Sequence, residues 1–131
     1  MSTYYNKVKD YLLNLEFNIV KEDIAEELFV VENPEGGIAN LIVDCEDPIL
    51  IIEGVLFELN AEKPEVYKAL LQKNREIVHG AFVLDESGKK VLFRDTLPLE
   101  NLDQNELEAT LNSLELLLSE YSEEIISYSK L

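Results

Sequence analysis

The spacing of hydrophobic residues changes several times along this chain, and each change predicts a new structural element. Over residues 5–15 the apolar side chains recur three or four positions apart, which predicts an amphipathic helix. Ser2 or Thr3 precedes this stripe and can cap the helix. The composition then becomes typical of β-strands, and two antiparallel strands are predicted over residues 17–21 and 27–32.

The region 38–59 is apolar with little alternation, so its structure is the least defined by pattern alone. A turn rich in Pro and Gly at residues 33–37 precedes it, and a strand is predicted over 38–44. The remainder fits one bent strand, two strands, or a strand leading into a helix, with a bulge or bend expected at Glu53-Gly54. A strand that is apolar on both faces is covered on both sides, by helices or by another subunit.

The clearest pattern in the second half predicts a β-hairpin. Its arms, residues 80–85 and 90–96, are rich in β-branched and aromatic residues, and Gly88 supplies the positive φ for the turn between them. A helix that begins at Pro64 precedes the hairpin. Asn74 falls on the buried face of this helix, where an amide must be hydrogen-bonded, so we expect it to tie the helix to the sheet.

A long final helix is predicted after Pro98. Asp103 and Glu106 form a capping-box pattern at its start, and apolar residues follow at alternating spacings of four and three over residues 107–128. This row fits either a coiled-coil seam or a helix that packs across a sheet. The three consecutive leucines at 116–118 cannot all face one way, which favours packing across the sheet with partial exposure to a partner.

Together these elements predict an α+β fold with two layers, a helical layer on an antiparallel sheet. Their order is helix, three or four strands, helix, two strands, helix. With 131 residues, a single domain over 1–131 is expected. The formal net charge of −16 would repel phosphate backbones and anionic lipid surfaces, so nucleic acid and membrane are not expected as partners.

The cellular location is inferred from the cysteine content and from the lack of export or membrane signals in the sequence. Cys45 is the single cysteine, which excludes an internal disulfide and fits a reducing compartment. The first residues lack the apolar core of a signal peptide, and no later run is as long as a membrane span. A cytoplasmic location is therefore expected.

Residues that could support catalysis or metal binding are few. His79 and Cys45 could act as a cysteine-hydrolase pair only if the fold brought them together with an orienting Asn or Asp. Asp44, Glu46 and Asp47 form an acidic cluster without the spacing of an EF-hand, and an acidic solvated turn is the expected structure there. We therefore expect no catalytic residue, no cofactor and no metal site.

The element order and several short motifs resemble the Tir-chaperone-like, or YbjN-like, family of small acidic bacterial proteins, which shares the fold of type III secretion chaperones. The residues that carry the resemblance are Leu70-Leu71 with Asn74, Gly80 to Asp85, Gly88, Val91 to Arg94, and Leu97 to Leu99. The region 38–59 is longer and more apolar than in the secretion chaperones. This departure favours the YbjN-like branch, whose members are described as regulators or orphan chaperones.

The resemblance implies a dimer that binds an extended client segment around its outside. We therefore expect a non-enzymatic, homodimeric, chaperone-like or regulatory module whose client, a basic or unfolded protein segment, binds along the sheet edge and an apolar surface. The alternatives are a dedicated type III secretion effector chaperone and a small-molecule or metal-dependent enzyme or sensor. The residues assigned to partner binding or dimer contacts are Ile51, Val55, Phe57, Phe93, Leu116 and Leu117.

Overall fold

In the computed structural model of the protein, which describes residues 2–131, three helices pack on one face of a six-stranded antiparallel sheet. The helices are α1 (Thr3–Asn14), α2 (Pro64–Lys73) and α3 (Gln104–Ser129). The strands are β1 (Asn18–Asp23), β2 (Leu28–Asn33), β3 (Ile38–Glu46), β4 (Ile49–Glu58), β5 (Ala81–Leu84) and β6 (Lys90–Pro98). Their order across the sheet is β1-β2-β3-β4-β6-β5.

This arrangement confirms the predicted α+β class and the order of the elements. The predicted strand at 38–44 is β3, and the structure decides between the alternatives for the residues that follow it. They form one strand, β4, which is interrupted by a bulge between Val55 and Phe57 and pairs antiparallel with β3. No helix within residues 2–131 is both long enough and apolar enough to span a membrane.

The N-terminal helix is held on the sheet by Tyr5. Its ring is fully buried and stacks on Phe29 of β2 with ring centroids 4.6 Å apart. Its hydroxyl donates a hydrogen bond to Glu22 of β1, and Lys9 forms an ion pair with the same carboxylate at 3.1 Å. Ser2 caps the helix by accepting a hydrogen bond from the Tyr5 N–H at 3.1 Å, as predicted.

Asn74 connects the end of α2 to the edge strand β5, as the sequence predicted. Its side-chain amide donates to the Phe82 carbonyl at 3.2 Å, and its Oδ1 accepts from the Phe82 N–H at 2.8 Å. The donor and the acceptor of the Asn74 amide are thus both hydrogen-bonded to the backbone of Phe82. The two bonds hold Phe82 in the core, where its side chain is 5% exposed. Ile77, predicted on the same helical face, lies beyond the helix and is half-buried.

The long helix α3 packs across the sheet, in agreement with the favoured alternative. Asp103 caps it by accepting a hydrogen bond from the Glu106 N–H at 2.8 Å. Thr110 is fully buried, and its hydroxyl donates to Asp95 of β6 at 2.7 Å. Phe57 of β4 packs against the ring of Tyr128, so the helix covers the sheet along most of its length.

Candidate protein-binding surface

The two faces of the sheet differ in how well they are covered. The inner face carries the core, for example the buried row Phe29, Val43 and Ile52, and all three helices lie against it. The opposite face, which we call the outer face, consists of three cross-strand rows. These rows are Leu28–Asp44–Ile51–Thr96, Val30–Ile42–Glu53–Arg94–Ala81, and Val55–Leu92–Val83.

The outer face is mostly aliphatic yet remains open to solvent. Val55 is 57% exposed and Ile42 is 39% exposed, and most of the other aliphatic side chains in the rows are half-buried. One ion pair lies in the middle of this surface, between Arg94 Nε and Glu53 Oε2 at 3.6 Å. A contiguous apolar surface with a polar centre and rim is typical of a protein interaction site.

Asp44 lies in the first row of the outer face between Leu28 and Ile51. Burial among these side chains raises the pKa of its carboxyl to about 6, and the neighbouring Glu46 carboxylate adds to the shift. Between its ordinary value of 3.8 and about 6, the folded protein therefore holds a proton that the unfolded chain has lost. This contribution to stability is complete below 3.8 and is lost as the pH rises through about 6.

Replacing Asp44 with Asn is expected to remove that pH dependence. The thermal midpoint of the variant should exceed that of the wild type at pH 7, and the difference should shrink as the pH falls below about 6, since the wild-type carboxyl then becomes neutral. Thermal denaturation of both proteins across this range measures the effect. All other carboxylates are common to the two proteins, so a difference that stays constant with pH would contradict the assignment to Asp44.

Of the six residues assigned to partner contacts, the structure places two on the outer face. Val55 is exposed there, and Ile51 is half-buried beside Asp44. Leu116 is 58% exposed but lies on α3, in the other layer of the molecule, next to a shallow groove of about 190 Å³ that Val78 also lines. The prediction for Ile51 and Val55 therefore defines one surface, and Leu116 belongs to a different one.

The other three assignments need correction because these side chains are in the core. Phe93 is fully buried, Leu117 is 2% exposed and Phe57 is 7% exposed. Strict alternation from Val55 would place Phe57 on the outer face, but the register between β4 and β6 shifts at this point, and the bulge turns Phe57 inward. In β6 the alternation instead directs Leu92 outward.

The candidate Cys–His pair does not form. Cys45 in β3 is 6% exposed, and burial raises the pKa of its thiol to about 12, which leaves it protonated and unreactive at neutral pH. His79 is exposed and precedes β5, which is separated from β3 by β4 and β6. Three strand spacings correspond to about 14 Å, far beyond hydrogen-bond reach.

The acidic cluster at residues 44–47 also lacks the geometry of a cation site. Within residues 2–131, no group of three or more His, Cys, Asp or Glu side chains is arranged to hold a metal ion. Asp44 points to the outer face, and Glu46 and Asp47 are exposed at the β3–β4 turn.

Sequence reasoning missed several outer-face residues, although part of the signal was present. In β3, the buried residues Leu41, Val43 and Cys45 alternate with more exposed neighbours, and this alternation places Ile42 outside. The contributions of Leu28, Val30 and Val83 were not recoverable in the same way. Their positions depend on which strand pairs with which, and pairing is a tertiary property.

Solved structures with the same fold come from secretion chaperones and from YbjN. A chain of the HopA1–SchA chaperone–effector complex aligns with a TM-score of 0.62 and 17% identity, covering 98% of this chain and 94% of that one. Escherichia coli YbjN aligns with a TM-score of 0.59 and 12% identity, covering 92% of each chain. The Yersinia pestis type III secretion chaperone SycH, solved with a fragment of YscM2, gives a TM-score of 0.58 and 14% identity, covering 97% and 100%.

At these identities the structural similarity establishes the fold alone. No curated protein sequence matches the chain. The family model CesT_Tir_1, in contrast, matches residues 1–131. The chain therefore belongs to the CesT_Tir_1 family, with the fold shared by type III secretion chaperones and YbjN.

Proposed function

We propose that this protein, a single domain over residues 1–131, is a chaperone-like binding module without enzymatic activity that holds an extended segment of another protein. The observation that carries this proposal is the outer face, which three helices of the same chain leave open although most of its side chains are aliphatic. Family membership supports the same role, because chaperone complexes such as HopA1–SchA share the fold.

The chemistry of the client follows from the charge of the chain. With 27 acidic and 11 basic side chains, the protein attracts basic segments and repels acidic ones. An unfolded segment exposes the aliphatic side chains that the outer face can cover, and it offers free peptide groups to the sheet edge at β1. A basic, unfolded segment is therefore the client that fits.

The first test replaces Val55 with Gln and uses Ile126→Gln as a control. Val55 is 57% exposed on the outer face, and Ile126 is 53% exposed on α3, in the other layer of the molecule. A reduced, unfolded basic protein should bind about fivefold more weakly to the Val55 variant, because one apolar contact of about 1 kcal/mol is lost. Isothermal titration calorimetry measures the affinity, and equal affinities for the two variants would contradict a role for the outer face.

We propose in addition that two copies associate through the apolar groove beside β5. Asn74 already bonds the N–H and C=O of Phe82 on the outer edge of β5, so this strand offers no continuous free edge for pairing. Leu71 of α2 is 70% exposed and Leu84 of β5 is 44% exposed, along a groove of about 250 Å³. Packing of two such grooves about a two-fold axis would cover both leucines in each copy. The outer faces of both copies would remain available.

Sedimentation velocity at micromolar concentration tests the dimer. The wild type is expected to sediment as a dimer and Leu71→Glu as a monomer, since the new carboxylates would face each other across the axis. Leu13→Glu is the control, because Leu13 is 52% exposed on α1, which packs on β1 and β2 at the other end of the sheet from β5, and it should leave the dimer intact. A wild type that is strictly monomeric would contradict this part of the proposal.

The second candidate function is that of a dedicated effector chaperone of a type III secretion system. The chaperones SchA and SycH, which were solved with bound partners, favour it. Genes for a secretion apparatus next to the gene of this protein would support the dedicated role, and their absence would favour a general binding module.

A further inference from the structure

The sheet is split at one end between its two central strands. Pairing between β3 and β4 runs from Glu46–Ile49 to Ile42–Glu53 and ends there. Beyond this point, residues 38–41 of β3 stay paired with β2, and residues 54–58 of β4 stay paired with β6. The sheet therefore divides into two three-stranded halves, and each half presents a strand edge to the gap.

Bulges on both sides of the gap account for the split. In β3, Ala39 and Asn40 lie together opposite the single residue Glu32, and Asn40 has a left-handed backbone with φ of 52°. In β4, Leu56 is the extra residue between the pairs made by Val55 and Phe57. A bulge bends its own strand and ends regular pairing, so the pairing of β3 with β4 ends at Ile42 and Glu53. Leu41 still lies against Gly54, and the two strands separate beyond these residues.

The gap forms a cleft of about 520 Å³ that opens on the outer face. The α3 side chains Leu114 and Leu118 lie at its base, and residues 37–42 and 53–56 form its walls. Because alternate residues of a strand direct their N–H and C=O groups to opposite sides, both walls offer peptide groups to whatever enters. An occupant must therefore combine apolar side chains with regularly spaced peptide donors and acceptors.

The lining of the cleft itself carries little net charge. Glu53 is the single charged residue among the lining residues, and it forms an ion pair with Arg94. On the neighbouring strand β6, Lys90 lies opposite Glu58. The preference for a basic segment therefore comes from the net charge of the whole chain, −16, which attracts cationic segments to any of its surfaces.

From these features we infer that the cleft between β3 and β4 binds an extended, basic segment of a client protein as an inserted strand. The segment pairs with the free edge of β3 or β4 and places an aliphatic side chain on Leu114 and Leu118. The inference rests on the proposed function and adds to it a defined position, because the ordinary sheet edge at β1 could accept a strand as well.

The test uses an acetylated, amidated peptide of alternating lysine and valine as the probe, with amide hydrogen exchange read by mass spectrometry. Exchange in residues 38–41 and 54–57 of the wild-type chain should slow by about tenfold at saturating peptide, since new inter-strand bonds protect these amides. The control peptide has its central valine replaced by proline, which keeps the charge and apolar character but removes a donor. It should give no protection.

A matched pair of variants tests the base of the cleft. Leu118→Gln should weaken peptide binding about fivefold, as expected for about 1 kcal/mol of lost apolar contact, and Leu116→Gln, two residues away and outside the cleft, should leave it unchanged. The proline control needs no change in the protein, so the inference stays testable if Leu118→Gln fails to fold.

Three outcomes would overturn the inference. Protection confined to β1 would place the strand at an ordinary edge. Equal protection by the proline peptide would show that the peptide does not bind by strand pairing. Protection of 38–41 and 54–57 that grows with protein concentration without peptide would assign the cleft to a second copy. If the unfolded basic protein still binds and distinguishes Val55→Gln from Ile126→Gln, the proposed function stands without the inserted strand.

Discussion

Gly80→Ala is expected to lower the free energy of unfolding by about 3 kcal/mol, a large fraction of the roughly 5 to 15 kcal/mol that native domains typically have. Gly80 has a φ of 81°, a backbone conformation that costs an L-residue about 1 to 2 kcal/mol. A Cβ at this position would also overlap the ring of Phe93, which is fully buried and cannot move aside freely. Overpacking of this kind adds about 1 to 3 kcal/mol.

Gly88→Ala is the matched control for this experiment. Gly88 has a similar φ of 75°, but a Cβ there would meet no atom within 4 Å. The control should therefore lose only the backbone cost of about 1 to 2 kcal/mol. Urea denaturation of the three proteins gives the free energies of unfolding. If the two variants lose the same stability, the overlap with Phe93 is relieved by movement and the prediction fails.

Phe82→Ala is expected to cost about 3 to 5 kcal/mol, as large aromatic truncations in cores do. Phe82 is 5% exposed, and its ring lies 6.1 Å from the ring of Tyr121 on α3. Truncation would leave a cavity between β5 and the helix, and the hydrogen bonds from Asn74 to the Phe82 backbone restrict how far the strand can move to fill it.

Val20→Ala in the edge strand β1 is the control, because Val20 is 57% exposed and its truncation leaves no enclosed cavity. It should cost about 1 kcal/mol. Chemical denaturation followed by far-UV circular dichroism compares the variants. A loss for Phe82→Ala no greater than that for Val20→Ala would show that the site collapses around the missing ring.

Local signals in the sequence were sufficient for most of the elements. Helix caps at Ser2 and Asp103 and the turn at Gly88 were predicted correctly because each depends on a few neighbouring residues. The bond from Asn74 to β5 was also anticipated, because an amide on a buried helix face must find a partner.

Predictions of the binding surface were less successful, and Phe57 shows why. It was grouped with Val55 among the partner-contact residues, but the bulge at Leu56 turns it to the opposite face of the sheet, and no local residue type marks that bulge. Similarly, the expected bend at Glu53-Gly54 is instead the point where β3 and β4 separate, with bulges on either side of it.

By itself, the sequence determined the family, the α+β class, the order of the elements and the acidic charge, because these depend on composition, spacing and short motifs. Only the tertiary structure decided which apolar residues are exposed. Strand order and register bring Ile42, Ile51 and Val55 onto one open face, and two bulges distant in sequence open the cleft between β3 and β4. Such features depend on contacts between residues far apart in the chain, which local patterns do not encode.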